Sequence, residues 1–262
     1  MSNETEVSSP PSGAALLELY DETVDRLGLP RCEPLRAALA QSAHAPPEAL
    51  RLHSASLGAS GAQALVPLLL HDSALGELHL DNNQLGNDGA SLLAAALLDH
   101  PALYRLSLGY NEIGARGLQA LSELVASSPA LFCLDLSGNS FWSRLSVVVP
   151  ASMSALAPLG RALAASSCRL QLLILDQVDI DVKGLSALAE GLSNNTSLMS
   201  LRLGENELGP RAAIVLAAIL RRNRTLTSLD LRDNKLGDTG AQVRSHPSTL
   251  LPLPVVVAGC QG

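Results

Sequence analysis

Leu103-Tyr104-Arg105-Leu106-Ser107-Leu108-Gly109-Tyr110-Asn111-Glu112-Ile113-Gly114-Ala115-Arg116-Gly117 carries two periodicities in succession. Its first half alternates Leu106 and Leu108 with other residues, the period-2 pattern of a short strand with one buried face. Its second half closes on glycines and runs into Leu118, Leu121, Leu124 and Val125, spaced as the apolar stripe of a helix. The same frame begins at Pro47, Leu75, Leu103, Leu131, Leu170, Leu198 and Leu226, at intervals of 28, 28, 28, 39, 28 and 28 residues. Every unit has Leu at its fourth and sixth places, and the eleventh holds Leu57, Leu85, Ile113, Phe141, Ile180, Leu208 and Leu236. The ninth is Asn83, Asn111, Asn139, Asn206 and Asn234, broken at Ala55 and Val178. An amide there can donate to and accept from backbone groups as the chain leaves the strand, so stacked copies form a ladder.

One strand and one helix cannot bury their own apolar face, so such units must stack on one another. Helices are wider than strands, and stacking therefore curves the array. The expected architecture is an α/β leucine-rich-repeat solenoid, a horseshoe with a concave parallel sheet and convex helices. Composition agrees: 47% of residues are apolar but only 2% aromatic, which favours many small layers of Leu, Ala and Val over one irregular core.

Units of the form L-x-x-L-x-L-x-x-N-x-L-G-x-x-G, over roughly residues 47–240, resemble the ribonuclease-inhibitor-like leucine-rich-repeat family. That resemblance implies the horseshoe fold. For function it implies a range, since the same repeats occur in ribonuclease inhibitor, in activators of the Ran GTPase, in cytosolic innate-immune receptors and in ciliary proteins. The favoured expectation is a non-enzymatic adaptor, scaffold or inhibitor that grips a partner protein of unknown identity in its concave face. The alternatives are a GTPase-activating protein resembling the Ran activators, with Arg105 or Arg202 supplying charge from the solenoid, and the sensor part of a larger receptor.

Outside the frame, residues 1–13 are polar and acidic, expected to be a disordered tail without the cationic start and apolar run of a signal peptide. Residues 14–46 read as capping helices, with Leu16, Leu17, Tyr20, Val24 and Leu27 sharing a face. The seven repeats occupy 47–240, and an eleven-residue excess near 142–153 includes the one tryptophan, Trp142. Residues 241–262 read as an irregular tail, because Pro247, Pro252 and Pro254 forbid the helix that should follow. Gln242-Val243-Arg244 can be encoded as CAG-GTG-AGG, an exon end running into an intron start. Residues 243–262 are therefore expected to be read-through without repeat-like packing. The competing expectation is a short tail folded over the last repeat through Leu250, Leu251 and Val255–Val257.

Candidate binding residues lie at strand positions expected to face the concave side. They are Arg105, Tyr110, Asp135, Leu172, Ile174, Asp176, Arg202, Glu205, Asp230, Arg232 and Asp233, with Trp142 beside them on the insertion. Acidic groups gather toward the C-terminal half and suit a basic patch on a partner, whereas Phe132, Leu172 and Ile174 could form an apolar patch. His53, His79 and Asp81 should be neighbours on adjacent strands. They are read as a surface cluster, with no metal and no cofactor expected. A net charge of −7 argues against a nucleic-acid or anionic-membrane partner. Four scattered cysteines show neither metal spacing nor a disulfide framework. The expectation is a cytoplasmic monomer.

Overall fold

A computed structural model describes residues 10–141 and 155–237, together with the backbone of 256–258. The first two helices are α1 (Gly13–Leu27) and α2 (Glu33–Gln41), and strand and helix then alternate. The order is β1 (Ala49–Arg51), α3 (Gly58–His71), β2 (Glu77–His79), α4 (Gly86–Leu97), β3 (Arg105–Ser107) and α5 (Ala115–Ser127). It continues through β4 (Cys133–Asp135), α6 (Ala157–Ala164), β5 (Leu172–Ile174), α7 (Val182–Asn194), β6 (Ser200–Arg202), α8 (Pro210–Arg222), β7 (Ser228–Asp230) and β8 (Val256–Ala258). Among the described residues the strands form one open parallel sheet in strict sequence order, with α1 packed on α2 and α3 and each helix from α3 to α8 packed on the next. This is a leucine-rich-repeat solenoid.

Strand register follows the repeat frame. Leu50, Leu78, Leu106, Leu134, Leu173, Leu201 and Leu229 align across seven strands, and all are buried. The sixth-place row, Leu52 to Leu231, lies beneath them in the same core. The first layer is covered by α1 and α2, whose Leu16, Tyr20, Val24, Leu35 and Leu39 are buried in that core. Ser12 caps the start of α1, and Gly28 ends it at φ +62°, where its N–H reaches back to Asp25. The Tyr20 hydroxyl accepts the Cys32 N–H at 2.7 Å and ties α1 to the entry of α2.

Beyond β7, Val257 pairs with Leu229 in the parallel register. Val257 falls 28 residues after Leu229, so the repeat interval is kept where the leucines have been lost. The tail was expected to lack repeat-like packing. Instead Val256–Ala258 supplies an eighth strand, because backbone pairing to an exposed strand edge needs β-compatible residues rather than leucines. The other expectations for 241–262, for the insertion at 142–153 and for residues 1–9 fall outside the described residues. No helix among the described residues is long and apolar enough to cross a membrane.

Candidate functional site

The polar geometry starts with the asparagines. Asn111 Nδ2 donates to the carbonyls of Leu80 and Gly109, and its Oδ1 accepts the N–H groups of Asn83 and Leu85. Asn139 does the same for Asn111 and Ile113, and Asn206 for Val178 and Ile180. Each asparagine thus completes the turn of the repeat before it. That explains the break at Ala55, since no earlier repeat needs its service. The break at Val178 is the place that would serve the fourth repeat, where the chain departs into the insertion. The residue before each ladder position adopts a left-handed conformation: Asn82, Tyr110, Gln177, Glu205 and Asp233 lie at φ between +52° and +57°. In that row Gly138 is the glycine, and a Cβ on it would come within 2.3 Å of the Tyr110 ring.

A second ladder, which the sequence reading missed, lies three residues before the first leucine of a unit. Asp72, His100, Ser128, Asn195 and Asn223 are all buried there. Each side chain accepts backbone N–H groups at the entry to the next strand, as in His100 Nδ1 from Leu103 and Asn195 Oδ1 from Leu198. His100 Nε2 lies 2.6 Å from the Asp72 carbonyl oxygen, so it donates while Nδ1 accepts, which fixes the neutral tautomer. Burial lowers the His100 pKa and raises that of the Asp72 carboxyl.

On the concave side the predicted residues separate into groups. Tyr110 is 51% exposed and lies across Gly138, and its hydroxyl donates to Gln177 Oε1 at 2.5 Å. Gln177 Nε2 in turn donates to Glu205, which makes a polar strip from the third repeat to the sixth. Glu205, Arg232 and Asp233 are exposed, and Arg105, Asp135, Leu172, Arg202 and Asp230 are half-buried. Arg202 stands between two carboxylates, 2.5 Å from Asp176 Oδ2 and 3.9 Å from Asp230 Oδ2. Asp230 is also clamped by Arg232 through Nε and Nη2. Burial would raise the Asp230 carboxyl, but hydrogen bonds from the side chain and backbone of Arg232 outweigh it and leave the pKa lowered. Asp176 moves the other way: burial raises it against the opposing Gly204 N–H and Arg202.

Two placements differ from expectation. Ile174 is 8% exposed, so no apolar patch joins it to the exposed Phe132. It stands in register between Asp135 and Arg202, and on a concave sheet neighbouring side chains converge and shield a shorter one. Asp176 is also 8% exposed, its Oδ1 accepting the Gly204 N–H at 2.7 Å while Oδ2 holds Arg202. It supports the sheet from within rather than presenting a free carboxylate. Trp142 lies outside the described residues.

At the N-terminal end, Asp81 Oδ2 is 2.9 Å from His53 Nδ1, and Asp81 Oδ1 accepts the Ser107 hydroxyl at 2.5 Å and the Gly109 N–H at 2.9 Å. The rings of His53 and His79 are 5.5 Å apart. His79 Nε2 lies 3.0 Å from Glu77, which also receives Arg51 and the Tyr104 hydroxyl. The hydrogen bonds from Tyr104 and His79 hold the Glu77 carboxyl down to about 2.

Parallel strands in sequence order, outer helices and an asparagine ladder define an open repeat scaffold, and sequence comparison gives the repeat its name. Residues 74–94, 103–122, 194–217 and 222–243 match the family model described as Leucine Rich repeat, and the chain carries leucine-rich repeats. No curated protein matches it in sequence. Solved structures that it is similar to include the tropomodulin C-terminal domain of Caenorhabditis elegans, at 20% identity over 54% of this chain and 81% of that one, with a TM-score of 0.44. A Bacteroides fragilis protein is 15% identical over 79% of this chain and 63% of its own, with a TM-score of 0.47. Leiomodin-1 actin-binding site 2 is 15% identical over 70% of this chain and 83% of its own, with a TM-score of 0.40.

Proposed function

We propose that this chain is a non-enzymatic protein-interaction module that holds a partner protein against its concave face, from the third repeat toward the C-terminal end. The observation that carries this reading is the strip Tyr110–Gln177–Glu205, continued by the exposed Arg232 and Asp233. Its side chains are held in place before any partner arrives. Ordering a flexible side chain at an interface costs about 0.5–1.5 kcal/mol, so a pre-set strip loses less on binding. Tyrosine is also suited to such a surface, being large, half apolar and able to hydrogen-bond. Of the two arginines an arginine-supplying GTPase activator would use, Arg105 and Arg202, the latter is held between Asp176 and Asp230 rather than free to reach a phosphate. A partner with a basic patch and a hydrogen-bonding edge fits the exposed Glu205 and Asp233.

The test places a photo-crosslinking side chain at Tyr110 and, separately, at the exposed convex residue Ile214 on α8. One stoichiometric protein adduct at position 110, lost when Glu205→Lys and Asp233→Lys are combined, is the expected result. The exposed convex control Glu123→Lys should leave the adduct intact. Equal adducts at 110 and 214, or indifference to the concave charge reversals, would move the site off this face.

A further inference from the structure

We propose that His53, His79 and Asp81 form a binding site for a divalent transition-metal ion, zinc foremost, at the N-terminal end of the concave sheet. Ligand atoms from the three residues lie within 4.8 Å of one another. They come from adjacent repeats, so an ion among them would tie the turn after β1 to β2 and the turn that follows it. Two imidazoles and one carboxylate are the donor set of borderline ions such as Zn²⁺ rather than of Mg²⁺ or Ca²⁺, which take oxygen ligands.

The surroundings are those of a metal site. An isolated pair of surface histidines has nothing to fix its rings, whereas each inner ligand here is held by a further partner. Asp81 Oδ1 is fixed by the Ser107 hydroxyl and the Gly109 N–H, which leaves Oδ2 to turn toward His53. His79 Nε2 is held by the Glu77 carboxylate, itself positioned by Arg51 and Tyr104. A carboxylate that accepts a hydrogen bond from one ring N–H leaves the lone pair on the other nitrogen and makes the imidazole a stronger ligand. The present His53–Asp81 contact of 2.9 Å is short enough that small side-chain rotations would admit an ion bonded to each at about 2.0–2.2 Å. Three protein ligands leave a fourth position of a tetrahedral ion open. His53 is exposed, so that position faces the concave space and is accessible to water or to a side chain of a bound protein. The site itself does not depend on the partner surface proposed above, which begins at Tyr110, next to Gly109, and runs away from it toward the C-terminal repeats.

The experiment titrates chelator-stripped full-length protein with Zn²⁺ alone by calorimetry, and with Co²⁺ by visible absorption. One ion per chain, a raised unfolding temperature, and Co²⁺ d–d bands of nitrogen and oxygen ligation without sulfur charge transfer are expected. His53→Gln, at an exposed position, should abolish saturable binding while circular dichroism stays unchanged, and His79→Gln should do likewise. His71→Gln, on the outer helix α3, should leave binding intact. Absence of saturable binding, binding that survives His53→Gln, or a thiolate-to-cobalt band would overturn the assignment.

Discussion

Replacing Asn111 by Ala removes the four hydrogen bonds described for its side chain, but the four backbone groups do not suffer equally. The Leu80 carbonyl keeps the Asn83 side-chain amide as a donor, and the Gly109 carbonyl keeps the Asn82 N–H. The N–H groups of Asn83 and Leu85 lose their acceptor inside the solenoid. A buried donor left without a partner costs about 1–3 kcal/mol. The Asn83 contact at 2.9 Å belongs in the middle of that range and the longer Leu85 contact, at 3.4 Å, at its low end, so the expected loss is about 2–4 kcal/mol. The damage also has a predicted address, one repeat upstream of the substitution. Urea unfolding gives the total, and amide hydrogen exchange should quicken first at Asn83 and Leu85. A loss below about 1 kcal/mol, or faster exchange centred downstream of residue 111 instead, would refute the account of the ladder.

Two other perturbations probe the frame and its charge state. Leu106→Ala, at a fully buried position, should cost about 2–5 kcal/mol in chemical denaturation. His100 is neutral in the fold with its pKa lowered, so on acidification the unfolded chain takes up the proton first. Its contribution is fully present above the ordinary histidine value of about 6.5 and is lost as pH falls from there toward the lower folded value. His100→Asn copies the residue type of the later rungs without titrating, and should flatten the stability profile in that window when compared with the parent by thermal unfolding.

The fold was legible because its signals repeat in kind as well as in place. Leucine at the fourth and sixth positions and asparagine at the ninth each have one physical task, and few other residues perform it. The second ladder was hidden because its task, accepting backbone N–H groups at a buried strand entry, is open to several chemistries. Asp72, His100, Ser128, Asn195 and Asn223 share a position and an accepting role but are of four different residue types. The eighth strand escaped for a related reason, with Val257 standing where leucine was sought. For the candidate site, strand alternation gave the side of the sheet on which a residue lies. It did not give exposure, which on a concave surface depends on the neighbouring strands, and this is why Ile174 and Asp176 are covered. The His53–Asp81 neighbourhood was legible from register, but the roles of Glu77, Ser107 and Gly109 depend on side-chain direction, which spacing does not supply.

The Tyr110 hydroxyl reaches Gln177 over Gly138, and so spans the junction at which Val178 takes an asparagine's place. In mechanical terms the solenoid is a laminated spring with one leaf joint lacking its inner rivet, and this side-chain bond is a strap across that joint. Bending that opens the concave face must stretch the strap, while bending that closes it lets the strap slacken. The resistance of the protein to flexing is therefore unequal in the two directions at this junction, and the residue that sets the inequality also stands on the surface a partner would touch.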